Sequence, residues 1–89
     1  MVQYIGVVHK DVGSCYGISF PDLPGCFSSG DSLEHLIHNA IEAVALFLED
    51  RDADNFPPRE MTAVERTLEK GSEHTRLIAI PYLDNRRTE

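Results

Sequence analysis

Acidic residues are the side chains of this sequence that could support metal-dependent hydrolysis, but their positions argue against such a catalytic site. Metal-dependent hydrolysis needs several acidic side chains that project from strands or helices toward a single point. The four segments with strand character contain no acidic residue, and Asp11 and Asp22 fall in connections between strands. The remaining acids lie on the outer face of a predicted helix or in loops. The sequence therefore disfavours a catalytic metal site.

His35 and His38 are spaced one helical turn apart, as two metal ligands on a helix would be. Glu42 lies one turn further on, yet the dense Cys and His spacing typical of a zinc site is missing. Two histidines that face solvent are the favoured interpretation. We predict neither a metal nor any other cofactor.

Cys15 and Cys26 are too few for a disulfide scaffold, so we expect two free thiols in a reducing cytosol. Either could pair with His9 as thiol and imidazole, but nothing nearby in the sequence marks either thiol as reactive. We therefore predict that both are small buried hydrophobic residues. Gly25 and Gly30 stand alone, without the spacing of a phosphate-binding loop.

The composition is that of one small globular domain. The chain has 89 residues and a formal charge of −7. An acidic chain repels phosphate backbones, so we expect a basic partner and no direct contact with nucleic acid. The longest apolar stretch free of charge, Leu77 to Leu83, is far shorter than the ~20 residues that span a bilayer. No signal peptide opens the chain, which predicts a cytoplasmic protein that does not enter a membrane.

Hydrophobic patterning predicts an α+β fold in the order β-β-β-α-α-β. Strands are expected over residues 2–9, 15–20, 26–28 and 75–83, and a long helix from Ser32 to Glu49 or Asp50. This arrangement is a three- to four-stranded, mainly antiparallel sheet packed against one long helix. The first strand has apolar residues on both faces, so it is covered on both sides or meets a partner subunit. Pro81 favours an edge position or the end of the last strand.

Caps and turns set the predicted boundaries. Asp31 is expected to cap the long helix, with Glu34 returning the hydrogen bond in a capping box. Thr62 and Glu65 predict the start of the second helix, and Gly71 its end. A turn is expected between the second and third strands. Pro21 and Pro24 would stiffen it, and Gly25 would allow a positive φ. The Asp22 side chain would accept hydrogen bonds from backbone amides of this turn. Gly30 is expected to end the third strand.

The outer face of the long helix offers a possible contact surface. Leu46 is an apolar residue among polar ones there, close to Glu42 and Glu49 at about 100° per residue. The acidic run Glu49, Asp50, Asp52 and Asp54 opposes the helix macrodipole, which favours cations at a C-terminal end. A footprint for a basic protein and a merely solubilising run are both consistent with this pattern.

The segment from Tyr16 to Glu34 resembles the signature of the HicB antitoxin family. It comprises an aromatic-Gly strand, the run Pro21-Asp22-Leu23-Pro24-Gly25-Cys26, a Gly30-Asp31 pair and the start of a long helix. The resemblance continues through the helix centre, the Pro57-Pro58 loop and the apolar strand near the end, and it covers most of the chain.

The resemblance implies a partial ribonuclease-H-like fold without a working active site. It further implies a non-enzymatic antitoxin that binds a small basic HicA-type toxin and covers the toxin's RNA-binding surface and catalytic histidine. A homo-oligomer, either a dimer or higher, is implied as well. We place the toxin contact at Glu42, Leu46, Glu49, Asp50, Asp52 and Asp54.

Family members commonly continue into a DNA-binding segment. Residues 1–83 are therefore predicted to be the HicB-like domain, and residues 84–89 a tail or the start of a linker to such a segment. DNA binding is expected only through that segment. Two alternatives stay open: a transcriptional autorepressor component, and a ribonuclease-H-type nuclease that would use Asp22 and helix acids.

Overall fold

The computed structural model describes residues 2–10, 15–66 and 76–83, which form an antiparallel sheet with a long helix on one face. The strands and helices in chain order are β1 (Gln3–Lys10), β2 (Tyr16–Ser19), β3 (Phe27–Gly30), α1 (Leu33–Glu49), α2 (Met61–Glu65) and β4 (Arg76–Pro81). The four strands are arranged in the order β3-β2-β1-β4. The predicted α+β class and element order are confirmed. The predicted tail, residues 84–89, lies outside the described residues.

The main core lies between α1 and the sheet face that it covers. Leu36, Ala40, Val44 and Leu48 recur at helical spacing and are each fully buried. They pack against side chains that the strands direct to the same side, among them Tyr4, Val8, Ile18 and Ile80. The predicted apolar stripe of the helix is therefore confirmed.

The opposite face of the sheet is covered in part by α2. Ile5 and Val7 of β1 form a second small cluster with Val64, which has no exposed surface. Leu77 and Ala79 of β4 pack against this cluster. The apolar pattern on both faces of β1 is thus explained by the chain's own second helix.

The chain between α1 and α2 passes the end of the sheet, from one face to the other, and two side chains fasten it there. The Tyr4 hydroxyl donates a hydrogen bond to the Phe56 carbonyl at 2.7 Å. The Asp22 carboxylate accepts from the Arg59 backbone N–H at 2.9 Å and from Arg59 Nε at 2.6 Å. The prediction that Asp22 bonds amides of its own turn is therefore wrong. Amides of the turn are hydrogen-bonded to backbone carbonyls, for example Cys26 N–H to the Leu23 carbonyl. The Asp22 carboxylate is therefore available to accept hydrogen bonds from Arg59, 37 residues further along the chain.

Two predicted helix caps are wrong. Ser32, not Asp31, caps α1: its hydroxyl accepts from the His35 N–H at 3.1 Å, and His35 Nδ1 accepts a long bond from the Asp31 N–H at 3.4 Å. Ser32 has the extended backbone that a cap requires. The bonds do not form a capping box, because the His35 side chain accepts from the N–H of Asp31 rather than from that of the cap residue. In α2 the cap position is Glu60, and Thr62 lies inside the helix. The predicted stop, Gly71, lies outside the described residues.

Two glycines of the predicted turn motif have different roles. Gly25 has a φ of +90°, as predicted. Gly30 is the last residue of β3, and a Cβ there would lie 2.5 Å from the backbone nitrogen of Leu36. The close approach of the first turn of α1 to this strand therefore requires a glycine.

Candidate protein-interaction surface

The outer face of α1 presents one exposed apolar side chain among acids. Leu46 is 66% exposed and makes no part of either core cluster. Glu42, Glu49 and Asp50 lie four residues before, three after and four after it, so the helix places all of them on one stripe. All three acids are exposed. The predicted neighbours on the helix are therefore brought together.

A tight turn continues this acidic stripe beyond the helix. Asp52 Oδ1 accepts from the Asp54 N–H at 3.0 Å, and the Asp52 carbonyl accepts from the Asn55 N–H at 3.0 Å. These bonds form the short 3-10 turn Ala53–Asn55 directly after the helix end. Asp52 and Asp54 are both exposed. We name the six residues Glu42, Leu46, Glu49, Asp50, Asp52 and Asp54 the α1-end surface.

Arg51, the one basic residue between positions 42 and 54, is held against the helix end. Its Nη1 donates to the Phe47 carbonyl at 2.7 Å, and its guanidinium lies 4.2 Å above the centre of the Phe47 ring. The Phe47 ring in turn meets Phe56 edge-on at 5.4 Å. A cation here satisfies a terminal carbonyl and interacts favourably with the negative end of the helix dipole. From the sequence, Arg51 was expected only to offset part of the charge of the acidic run. Its contact with Phe47 could have been found from the spacing, because an aromatic residue four positions before an arginine lies one helical turn away.

The two helix histidines have separate local roles. His38 Nε2 lies 3.1 Å from Glu42 Oε1, and both side chains are largely exposed. His35 belongs to the cap of α1. Within residues 2–10, 15–66 and 76–83, no three His, Cys, Asp or Glu side chains are grouped so that they could hold a metal ion.

The two cysteines differ in their surroundings. Cys26 is buried in the main core, and burial raises the pKa of its thiol to about 11, with the Arg51 charge lowering it slightly. Cys15 is exposed, so its predicted burial is wrong. Cys15 lies just before β2, and its neighbour Tyr16 packs against the main core. Because successive side chains of a strand point to opposite faces, the Cys15 side chain points away from that core. Neither cysteine forms a disulfide.

Tyr4 is a second core residue whose pKa is raised by burial. Its pKa is raised, first by desolvation and then by the negative charges that Tyr82, Asp22 and Asp54 can carry. The neutral phenol is the form that donates to the Phe56 carbonyl. The group therefore acts as a structural hydrogen-bond donor.

Phe27 was not singled out from the sequence. It is 72% exposed, on the sheet face that α1 does not cover. In a strand as short as β3, period-2 alternation places Phe27 and Ser28 on opposite faces, and this was the signal that could have identified it. No helix in the described ranges combines the length and apolar content needed to cross a membrane.

Comparison with known proteins places the chain in a family. Residues 4–86 match the family model described as HicB_like antitoxin of bacterial toxin-antitoxin system. An uncharacterised 14.9 kDa protein of Haemophilus phage HP1 is 45% identical over 40 residues, which are 45% of this chain and 30% of the phage protein. The match thus spans less than a third of that relative.

Two solved structures share the fold. The antitoxin HicB of Burkholderia pseudomallei has a TM-score of 0.71 and 26% identity, over 100% of this chain and 72% of that chain. A chain of the HicA3 and HicB3 toxin-antitoxin complex has a TM-score of 0.72 and 25% identity, over 91% of this chain and 98% of that chain. Together with the family match over nearly the whole sequence, these similarities show that the chain belongs to the HicB-like antitoxin family of bacterial toxin–antitoxin systems.

Proposed function

We propose that this chain neutralises a small basic HicA-type toxin by binding it through the α1-end surface and covering its RNA-binding and catalytic surface. Membership of the antitoxin family and the likeness to a chain of a HicA3 and HicB3 complex support such a partner. The RNA that the toxin would cleave is in the cytoplasm, where we place the antitoxin.

The observation that carries the proposed site is the exposed Leu46 within an acidic surround. Burying a leucine side chain contributes roughly 1.5–3 kcal/mol, enough to anchor a contact. The five carboxylates around it would attract a basic partner, increase the association rate and orient it. Arg51, which is held by Phe47, keeps its positive charge and offsets one of these five carboxylates, so the surface stays net negative.

Inhibition by coverage needs no catalytic group in the antitoxin. No strand of the described sheet carries an acidic residue, and the buried thiol of Cys26 is protonated at neutral pH. We therefore expect inhibition to follow the amount of antitoxin bound to the toxin, with no turnover of RNA by this protein.

The test is a calorimetric titration of the chain into a catalytically inactive HicA-type toxin encoded next to it. The charge-reversal variant carries Lys at Glu49, Asp50 and Asp52. Loss of three attractive charges and gain of three repulsive ones should weaken binding about 100-fold or more, equivalent to about 2.7 kcal/mol. The parent should also stop RNA cleavage by the active toxin at equimolar amounts, and the variant should not.

A matched control separates local charge from net charge. Lys at Glu34, Glu60 and Glu65, which are exposed and outside the α1-end surface, changes the net charge by the same amount. This control should bind within about threefold of the parent. If the charge-reversal variant is folded by circular dichroism and binds as tightly as this control, the site lies elsewhere. If the folded parent binds no such toxin, the proposed function itself fails.

A further inference from the structure

A cavity of about 420 Å³ opens on the sheet face that α2 covers in part. Its floor is formed by Ile5 of β1 and Ala79 of β4, which are paired in the register of the two strands. Side chains of a strand alternate between faces, so Gln3 lies on the same face as Ile5 and also lines the cavity. Residues 58–61, which lead into α2, form the wall. The volume falls within the range of small-molecule sites, about 300–1,000 Å³.

Three polar side chains around this cavity have unused hydrogen-bonding groups. The backbone N–H and Nε of Arg59 both donate to Asp22, which fixes the direction of the guanidinium. Among the residues that the structure describes, the two terminal nitrogens of Arg59 have no hydrogen-bond partner, nor have the Glu60 carboxylate and the Gln3 amide. The cavity is therefore lined by an oriented pair of donors, a carboxylate acceptor and an amide that can do either.

The charges at the cavity favour a ligand that carries both signs. A carboxylate matches Arg59, because a guanidinium presents its nitrogens in a fork that binds two carboxylate oxygens. A simple anion, however, would be repelled by Glu60 and by the net charge of −7. An ammonium group matches Glu60, yet a simple cation would be repelled by Arg59. A zwitterion avoids both repulsions.

The remaining lining favours an aliphatic group on this zwitterion. Ile5 and Ala79 present only hydrocarbon at the floor, and the short side chain of Ala79 leaves room above it. Met61 lies at the wall and is 40% exposed. Its unbranched thioether side chain can adjust to different apolar shapes. An apolar side chain placed here would be removed from water on several sides.

We propose that this cavity binds a free apolar α-amino acid. The carboxylate accepts from the terminal nitrogens of Arg59, and the ammonium group donates to Glu60. The side chain of the ligand packs against Ile5, Ala79 and Met61. This site shares no residue with the α1-end surface, and it lies on the sheet face opposite α1. The inference does not rest on toxin binding.

An NMR titration of the isotope-labelled chain with L-leucine tests the site. Saturable shifts of the Ile5, Met61 and Ala79 amides are expected, with a dissociation constant of about 1 mM or below. Three probes each lack one part of this ligand: isocaproate has no ammonium group, isoamylamine has no carboxylate and glycine has no side chain. Each should bind at least about tenfold more weakly than L-leucine, because some groups of the cavity are then left without a partner.

A pair of variants tests the position of the ammonium group. Glu60→Gln keeps the size of the side chain and removes its charge, so it should weaken L-leucine binding about tenfold. Glu65→Gln removes the same charge from an exposed residue of α2 outside the cavity, and it should bind as the parent does. Shifts that do not saturate, or that lie outside the cavity, would overturn the inference. Equal binding by the two folded variants would overturn it as well, and so would isocaproate binding as tight as that of L-leucine.

Discussion

Removing the Asp22 carboxylate should destabilise the whole domain, because it fastens the segment that carries the chain around the end of the sheet. The side chain is only 9% exposed and accepts two hydrogen bonds from Arg59, at 2.9 Å from the backbone and 2.6 Å from Nε. Without these bonds, the segment between Phe56 and Arg59 is held mainly by the Tyr4 bond and the Phe47 contact.

The magnitude follows from the two bonds. A hydrogen bond to a charged group contributes about 1.5–3 kcal/mol, which applies to the Arg59 N–H. The guanidinium is 41% exposed and can return to water, so its bond is worth no more than about 1 kcal/mol. We therefore expect Asp22→Ala to lower the free energy of unfolding by about 2–4 kcal/mol, and Asp22→Asn, which keeps an acceptor for the N–H, by about 1 kcal/mol. Arg59→Ala keeps the backbone bond and should also cost about 1 kcal/mol.

Urea denaturation followed by circular dichroism measures these differences. The reference variant is Glu42→Ala, which breaks the His38–Glu42 pair, whose side chains are 70% and 63% exposed. That loss should be below about 0.5 kcal/mol. If Asp22→Ala is no more destabilising than Glu42→Ala, the carboxylate does not hold the segment and the proposed role is refuted.

Two further predictions concern packing and titration in the core. Gly30→Ala should lower the free energy of unfolding by about 2–3 kcal/mol in the same urea assay, because the added Cβ would lie 2.5 Å from the backbone of α1. Gly17→Ala is the control: its Cβ would meet only the end of the exposed His9 side chain, so the loss should be less than about 1 kcal/mol. Equal losses for the two variants would contradict this prediction. Burial raises the pKa of Cys26 from 9.0 to about 11, so the folded chain holds this proton more tightly than the unfolded chain. Stability should therefore decline as pH rises from about 9 toward 11, by up to about 1.4 kcal/mol per pH unit, and less steeply in Cys26→Ala; identical slopes for the two proteins would refute the assignment.

Elements with a strong period could be predicted from the sequence alone. Leu36, Ala40, Val44 and Leu48 recur at a spacing that only a helix places on one side, and all four are buried. The apolar residues on both faces of β1 likewise indicated a strand that is covered on both sides or meets a partner subunit, and α1 and α2 provide the two covers. Such patterns are local, and burial of one face follows from them directly.

Contacts between distant parts of the chain could not be predicted in the same way. Asp22 was assigned to its own turn because local bonding is the common role of an aspartate beside proline. Its partner Arg59 follows 37 residues later, and no local pattern marks that distance. The choice between Asp31 and Ser32 as a cap failed for a related reason: both residue types are good caps, and the backbone conformation at Ser32 decided between them.

The charge of the α1-end surface predicts how salt should act on toxin binding. Toxin binding would join an acidic surface to a basic partner, so added salt should weaken it. A salt series measured by calorimetry should therefore lower the affinity of the parent steeply, and that of the Lys variant at Glu49, Asp50 and Asp52 much less, because this variant has lost three of the five carboxylates. The control with Lys at Glu34, Glu60 and Glu65 should keep the salt dependence of the parent. If the parent and the charge-reversal variant lose affinity equally as salt rises, the carboxylates of the α1-end surface do not attract the toxin and the contact must be placed elsewhere.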